Sequence, residues 1–149
     1  MRVVLQRVLQ ASCTIDEEVT GAIEGGYCLL VGIGPEDTEE TLEKMAAKIL
    51  KLRVFSDAQG KMNLNVMQAE GAILSISQFT LYADCRKGNR PSFTGAAAPE
   101  RAEELYHKFN AILARDVRVE TGRFGADMKI ELINDGPVTI LLDSEVLGF

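Results

Sequence analysis

Apolar and polar positions along the chain divide it into short segments of two periods. Met1 to Gln10 alternates weakly and reads as a strand. Thr14 to Glu24 and Gly26 to Ile33 read as two further strands, with Gly25-Gly26 between them as a hairpin turn. Gly32, Gly34 and Pro35 break the pattern, and the period changes to that of a helix over Thr38 to Leu50, where Leu42, Met45, Ala46, Ile49 and Leu50 share a face. Asp37 is placed to cap this helix, with Glu40 three residues on completing a capping box. Leu52 to Ser56 is a short strand, Asp57 to Gly60 a turn, and Ala72 to Phe79 a buried strand. Tyr82 to Ala98 has no clear period and is rich in Gly, Pro, Arg and Lys. A loop this long within a compact domain is usually functional or disordered. Pro99 opens a second helix, with Ala102, Leu105, Tyr106, Phe109, Ile112 and Leu113 on its apolar face. Val117 to Thr121, Met128 to Ile133 and Val138 to Leu142 read as closing strands. Many strands with two separated helices predict an α+β layer architecture, with antiparallel-rich sheets covered by helices.

Composition narrows the function classes. The chain has 149 residues without a repeat, low-complexity stretch or linker, which predicts a single domain over 1–149. Cys13, Cys28 and Cys85 are odd in number and lack Cys-x-x-Cys spacing, which argues against a disulfide framework and a zinc site. The longest apolar run, Tyr27 to Ile33, is far shorter than the ~20 residues of a membrane span. Gln6 and Arg7 interrupt any signal-peptide core, so a cytoplasmic location is expected. Sixteen Lys and Arg against 22 Asp and Glu leave a net charge of −6, which suits a protein that holds at most a small part of a nucleic acid. The best local basic patch is Arg86, Lys87 and Arg90, which on charge alone reads as a solvated loop.

The available chemistry is restricted. The only histidine, His107, follows core-facing Tyr106 and is expected to point to solvent. Without it no Ser-His-Asp or Cys-His arrangement can be built, and no metal or cofactor is implied. Acidic pairs such as Glu17-Glu18 and Glu103-Glu104 read as solubilising surface. An enzyme made from these residues relies on Ser, Thr or Cys nucleophiles, carboxylate bases, or backbone amides that stabilise an oxyanion.

Two segments stand out. Ser77-Gln78-Phe79-Thr80-Leu81 ends a buried strand and opens the basic loop. Small polar groups there are suited to a site, or merely satisfy backbone groups at a strand end. Asn134-Asp135-Gly136-Pro137-Val138-Thr139 is a turn signal between apolar strands: an ordinary hairpin, or a cis Gly-Pro bond that turns successive carbonyls to one side. Arg7 shares a strand face with Val3, Leu5 and Leu9, an unusual position for a charge. Read from the strand alone, it forms a salt bridge at the strand edge.

These motifs carry a resemblance. Gln6-Arg7-Val8, Phe55-Ser56-Asp57 with Gly60 to Asn65, Ser77 to Leu81, Lys87 to Phe93, Thr121 to Met128 and Asn134 to Thr139 together resemble the D-aminoacyl-tRNA deacylase family. They occur in order over nearly the whole length, with no departure inside a motif, and only the tail after Asp143 looks less typical. The resemblance implies a cofactor-free homodimer, built as a layered β-β-α sandwich with the two main helices on one side. It implies hydrolysis of the ester joining a D-amino acid, or glycine, to tRNA. Ser77, Gln78, Phe79 and Thr80 would form the catalytic segment, with the amides of Phe79 and Thr80 as oxyanion donors. Gly136 and Pro137 of one subunit would form a carbonyl wall in the other's pocket that rejects L-residues by clash, steadied by Arg7 donating to the carbonyls around it. Arg86, Lys87 and Arg90 would touch the acceptor-end phosphates. Two other readings remain open: a Thr- or Ser-dependent hydrolase of small esters, and a non-catalytic nucleic-acid-binding dimer.

Overall fold

A computed structural model describes residues 1–149. The organising element is a long strand, β1 (Arg2–Ile15), whose alternation buries Val3 and Leu5 on one face. The chain reverses at Asp16-Glu17, both at positive φ (49° and 66°). β2 (Glu18–Ile23) and β3 (Gly26–Gly32) then return along the same edge of β1, pairing Ile15 with Glu18 through Ala11 with Ile23, and Val8 with Gly26 through Arg2 with Gly32. The reversal expected at Gly25-Gly26 is therefore displaced. Two-residue hairpin loops favour Gly or Asn at positive φ, and here Asp and Glu take that role without the usual signature. Gly26 is needed for a different reason: a Cβ on it would lie 1.9 Å from the carbonyl oxygen of Ala72 in the neighbouring strand.

That neighbour is β6 (Ala72–Ser77), parallel to β3, and β7 (Val119–Thr121) lies parallel beyond it. Along the other edge of β1 runs β8 (Lys129–Asp143), antiparallel from Arg2–Asp143 to Thr14–Lys129. The two closing strands expected at 128–133 and 138–142 are thus one strand. A hairpin at Asn134–Thr139 is ruled out because both halves pair with the same partner in one direction. In the chain between β3 and β6, β4 (Phe55–Ser56) and β5 (Met62–Leu64) form a small separate hairpin around the turn at Asp57.

Helices α1 (Glu39–Lys51) and α2 (Pro99–Leu113) pack together against the sheet face that presents Val3, Leu5, Tyr27, Leu29, Val31 and Ile73. The expected cap of α1 shifts by one residue: Thr38, not Asp37, is the N-cap, and Thr41 takes the reciprocal place expected of Glu40. Asp37 is instead buried, accepting from the Met1 ammonium (2.5 Å) and from the Gly34 amide (2.6 Å). A second apolar cluster fills the opposite face, with Val8, Cys13, Ile15, Ile23, Cys28, Leu74 and Ile76. The sheet curls around it until β2 meets β6 and β7, so close that a Cβ on Gly21 would lie 2.8 Å from the Thr121 carbonyl. The architecture is α+β.

The tail after Asp143 belongs to this core. It forms a short helix, α3 (Ser144–Leu147), whose Ser144 Oγ accepts from the Met1 ammonium at 2.6 Å, and Leu147 and Phe149 pack on the helix-side cluster. No helix is long and apolar enough to cross a membrane.

Candidate active site

β6 is buried on both faces because it lies between β3 and β7 with apolar clusters above and below, which explains its unbroken run of small and aliphatic residues. Its ladder stops at Ser77, opposite Val31. The Gln78 amide makes the last bond, 2.7 Å to the Val31 carbonyl, and Phe79–Tyr82 then wind into a single 3-10 turn. The first amides of a helix have no partner inside it, so those of Phe79 and Thr80 stay available at a position where both residues are exposed. The end of the turn is anchored by Arg2, which donates to the Leu81 carbonyl (3.1 Å), pairs with Asp143 (2.9 Å) and stacks 4.6 Å from the Tyr82 ring centre. Burial, and next the charge of Asp37, push the Tyr82 phenol above its ordinary range, so it stays neutral.

The Thr80 hydroxyl accepts a hydrogen bond from the Gln78 side-chain amide at 2.6 Å. It has no carboxylate or imidazole partner, so nothing at this position activates it as a nucleophile. His107 is exposed on α2 beside Glu103 (3.7 Å), away from this turn, as its neighbours in the sequence predict.

Ser77, Gln78 and Phe79 border a cavity of about 250 Å³ whose opposite wall is Phe124, Ala126 and Met128. Sequence reasoning gave this wall no role, since Thr121 to Met128 stood out only as a matching motif. The available signal was Phe124, an aromatic residue between Gly122-Arg123 and Gly125 with no strand to belong to. Gly122 admits Met128 to the wall, since a Cβ there would lie 2.3 Å from its sulfur.

The basic loop stands next to the same turn. Asp84 and Ser92 close its neck by an isolated antiparallel bridge, and Phe93 just beyond packs edge-on against Phe79 with ring centres 5.1 Å apart. Arg86 is paired with Asp84 through Nε (2.9 Å) and Nη2 (2.6 Å), and this guanidinium holds the Asp84 carboxyl down at about 2. Lys87 and Arg90 are exposed and form no ion pair.

The remaining candidates gather on the other side of β1. Between the pairs Gln6–Thr139 and Val8–Asn134, β1 contributes Arg7 alone while β8 contributes Asp135, Gly136, Pro137 and Val138. The surplus forms a bulge within β8, which is where Gly and Pro are tolerated inside a strand. The Gly136–Pro137 bond is cis, and both residues are exposed. Arg7, 8% exposed, donates Nε to the Asp135 carbonyl (3.0 Å) and Nη1 to the Val54 carbonyl (2.5 Å), and its Nε lies 3.3 Å from the Asp135 carboxylate. Both sequence readings of Arg7, carbonyl donor and salt-bridge partner, are present at once. The cavity at Ser77–Phe79 is not lined by Gly136 or Pro137 of the same chain.

The family model described as D-Tyr-tRNA(Tyr) deacylase matches residues 4–143. A solved structure described as "c-Myc DNA Unwinding Element Binding Protein" is 46% identical, with a TM-score of 0.91 over 97% of this chain and 99% of that one. A second, from a structural analysis of "a probable eukaryotic D-amino acid tRNA deacylase", shares the fold at 17% identity, with a TM-score of 0.83 over 95% of this chain and 97% of that one. The chain therefore belongs to the D-Tyr-tRNA(Tyr) deacylase family, and it is a hydrolase of the deacylase type.

Proposed function

We propose that this protein hydrolyses the ester of D-aminoacyl-tRNA in the cytoplasm, releasing the free D-amino acid and tRNA. The observation that carries the reading is the 3-10 turn that begins at Phe79: its first two amides have no main-chain partner, Ser77, Gln78 and Phe79 border a cavity with an aromatic wall, and Thr80 beside it has no general base. Phe124, Met128 and Phe79 offer the flat apolar surface on which the terminal adenine stacks, while Ser77 and Gln78 orient the sugar and ester. Water adds to the ester carbonyl carbon. The amides of Phe79 and Thr80 take the charge that develops on the carbonyl oxygen, a contribution of about 10²–10³ in rate per donor at comparable sites. Collapse of the adduct expels the ribose oxygen, which leaves with the proton the water gave up. The adjacent ribose hydroxyl assists that proton transfer, so positioning suffices.

Chirality is read by a second copy. Gly136 and Pro137 at the tip of the bulge are exposed and outside their own chain's cavity, and apolar Leu9, Ile133 and Leu141 are exposed on the same two strands. This supports a homodimer in which Gly136-Pro137 of one subunit enters the other's cavity. There the carbonyls meet an L side chain and leave a D side chain free, and glycine, with no side chain, is accepted. In this reading the curled sheet supplies the two β layers of a β-β-α sandwich and the helices the third. Arg86, Lys87 and Arg90 meet acceptor-end phosphates.

The test compares D-tyrosyl-tRNA with L-tyrosyl-tRNA. D-ester hydrolysis is expected to be faster by about a hundredfold or more, the scale of a clash worth a few kcal/mol. Equal rates remove the chiral wall, and no hydrolysis of either removes the enzyme. Thr80→Ala is expected to keep hydrolysis within about tenfold of the parent, since it removes a hydrogen bond but no activated nucleophile. Complete loss with intact folding favours the small-ester hydrolase mechanism instead. Phe93→Ala removes an edge-on aromatic contact worth about 0.5–1.5 kcal/mol, and a kcat decrease of about three- to tenfold with little change in melting temperature is expected as Phe79 loosens. An unchanged kcat shows that the loop does not position the turn.

A further inference from the structure

The excursion from Asp84 to Ser92 is closed by two main-chain bonds, Asp84 amide to Ser92 carbonyl (2.7 Å) and Ser92 amide to Asp84 carbonyl (3.0 Å). It borders a hollow of about 540 Å³ lined by Asp84, Arg86, Lys87, Arg90 and Ser92, which bring three positive charges and one negative charge to it. The Asp84 carboxylate is occupied only by Arg86: backbone amide (3.0 Å), Nε (2.9 Å) and Nη2 (2.6 Å). That two-pronged grip is the geometry in which a guanidinium binds a phosphate.

The pair contributes little to the fold. Both side chains are exposed, and such ion pairs add little stability. The neck is already closed without them. What the carboxylate does is hold Arg86 in register and fill the position that a phosphate would take. Resting on the proposed RNA substrate, we infer that Asp84 is a built-in competitor for phosphate: the acceptor-end backbone displaces it from Arg86 on binding, and it returns to help expel the product. The device fits a protein of net charge −6 that must release deacylated tRNA after each turnover. With its carboxyl held at about 2, Asp84 is charged throughout the neutral range, so the competition is constant with pH there.

The experiment measures binding of an uncharged acceptor-arm RNA hairpin by fluorescence anisotropy over a salt series. Asp84→Asn is expected to tighten binding by about fivefold at low salt, and the gain is expected to shrink as salt rises, because salt already weakens the exposed Arg86–Asp84 pair that the phosphate must displace in the parent. Adding Arg86→Ala to Asp84→Asn is expected to abolish the gain. Unchanged or weaker binding by the folded Asp84→Asn protein overturns the proposal. If that variant fails to fold, Asp84→Ser, which keeps a short polar side chain at the neck, must show the same gain. Hydrolysis of D-tyrosyl-tRNA by the parent protein is measured alongside. Hydrolysis with no gain in RNA affinity overturns the role of Asp84 alone. A gain without hydrolysis overturns the proposed reaction but supports the competition, and no RNA binding by either protein overturns both.

Discussion

Arg7→Ala is expected to lower the unfolding free energy by about 3 kcal/mol and the melting temperature by roughly 6–12 °C, the shift expected for a domain of this size. The side chain ties together three pieces of chain: β1, the Val54 carbonyl before the small hairpin, and the Asp135 carbonyl at the base of the bulge. Truncation leaves both carbonyls without their charged donor, in a site that is largely closed to water on the Val54 side. Bonds to a charged group are worth about 1.5–3 kcal/mol each, and breaking a buried pair costs about 3–5 kcal/mol. The low end applies because the Asp135 carboxylate is 43% exposed and water screens it. Arg7→Lys keeps the charge but not the fork, so an intermediate loss of about 1–2 kcal/mol is expected. Urea denaturation of the three proteins checks the order, and an alanine variant as stable as the parent shows that the bulge is held by other means. If the bulge is the chiral wall, discrimination between D- and L-tyrosyl-tRNA falls in the same order as stability.

The parts of the structure legible in the sequence are those governed by local periodicity and capping. Both long helices, the buried strand at Ala72–Ser77 and the exposed position of His107 follow from apolar spacing. What escaped were features decided by which strands pair. Asp16-Glu17 turns the chain without glycine because the long antiparallel pairing of β1 with β2 and β3 leaves only two residues for the reversal. Gly25-Gly26 carries turn chemistry but serves a close approach to β6. Asn134–Pro137 likewise signals a departure from the ladder, and only the shared pairing with β1 shows that the strand resumes in the same direction. The site divides in the same way. The Ser77–Thr80 segment was visible because a buried strand ends in polar residues, whereas the Phe124–Met128 wall is brought to it from a distant part of the chain. The pairing of Asp84 with Arg86 was not legible, since it depends on the bend of the loop.

Gly136→Ala is expected to reduce kcat/KM for D-tyrosyl-tRNA by about tenfold or more and to destabilise the fold by about 2 kcal/mol, a typical cost of forcing a side chain into a sparsely populated backbone region. Gly136 has φ of 127°, a conformation L side chains rarely adopt. A Cβ there would lie 3.0 Å from Arg7 Nη2, from the Val138 amide nitrogen and from Val138 Cγ2. Two of these neighbours cannot yield easily. The amide nitrogen belongs to the bulge itself, and the guanidinium is tied to Val54 and Asp135. The bulge must therefore move as a unit, carrying the Gly136 and Pro137 carbonyls away from the positions at which the proposed wall meets an L side chain. The loss of D-ester hydrolysis should come with a relative gain on L-tyrosyl-tRNA, which separates a displaced wall from general damage. Because the Cβ presses on Arg7, Arg7→Ala combined with Gly136→Ala should cost less than the sum of the single changes, by about 0.5–3 kcal/mol, the range of coupling seen between touching residues. Strict additivity shows that Arg7 and the bulge act independently, and a Gly136→Ala protein with parental stability and parental D-over-L preference removes the bulge from chiral selection.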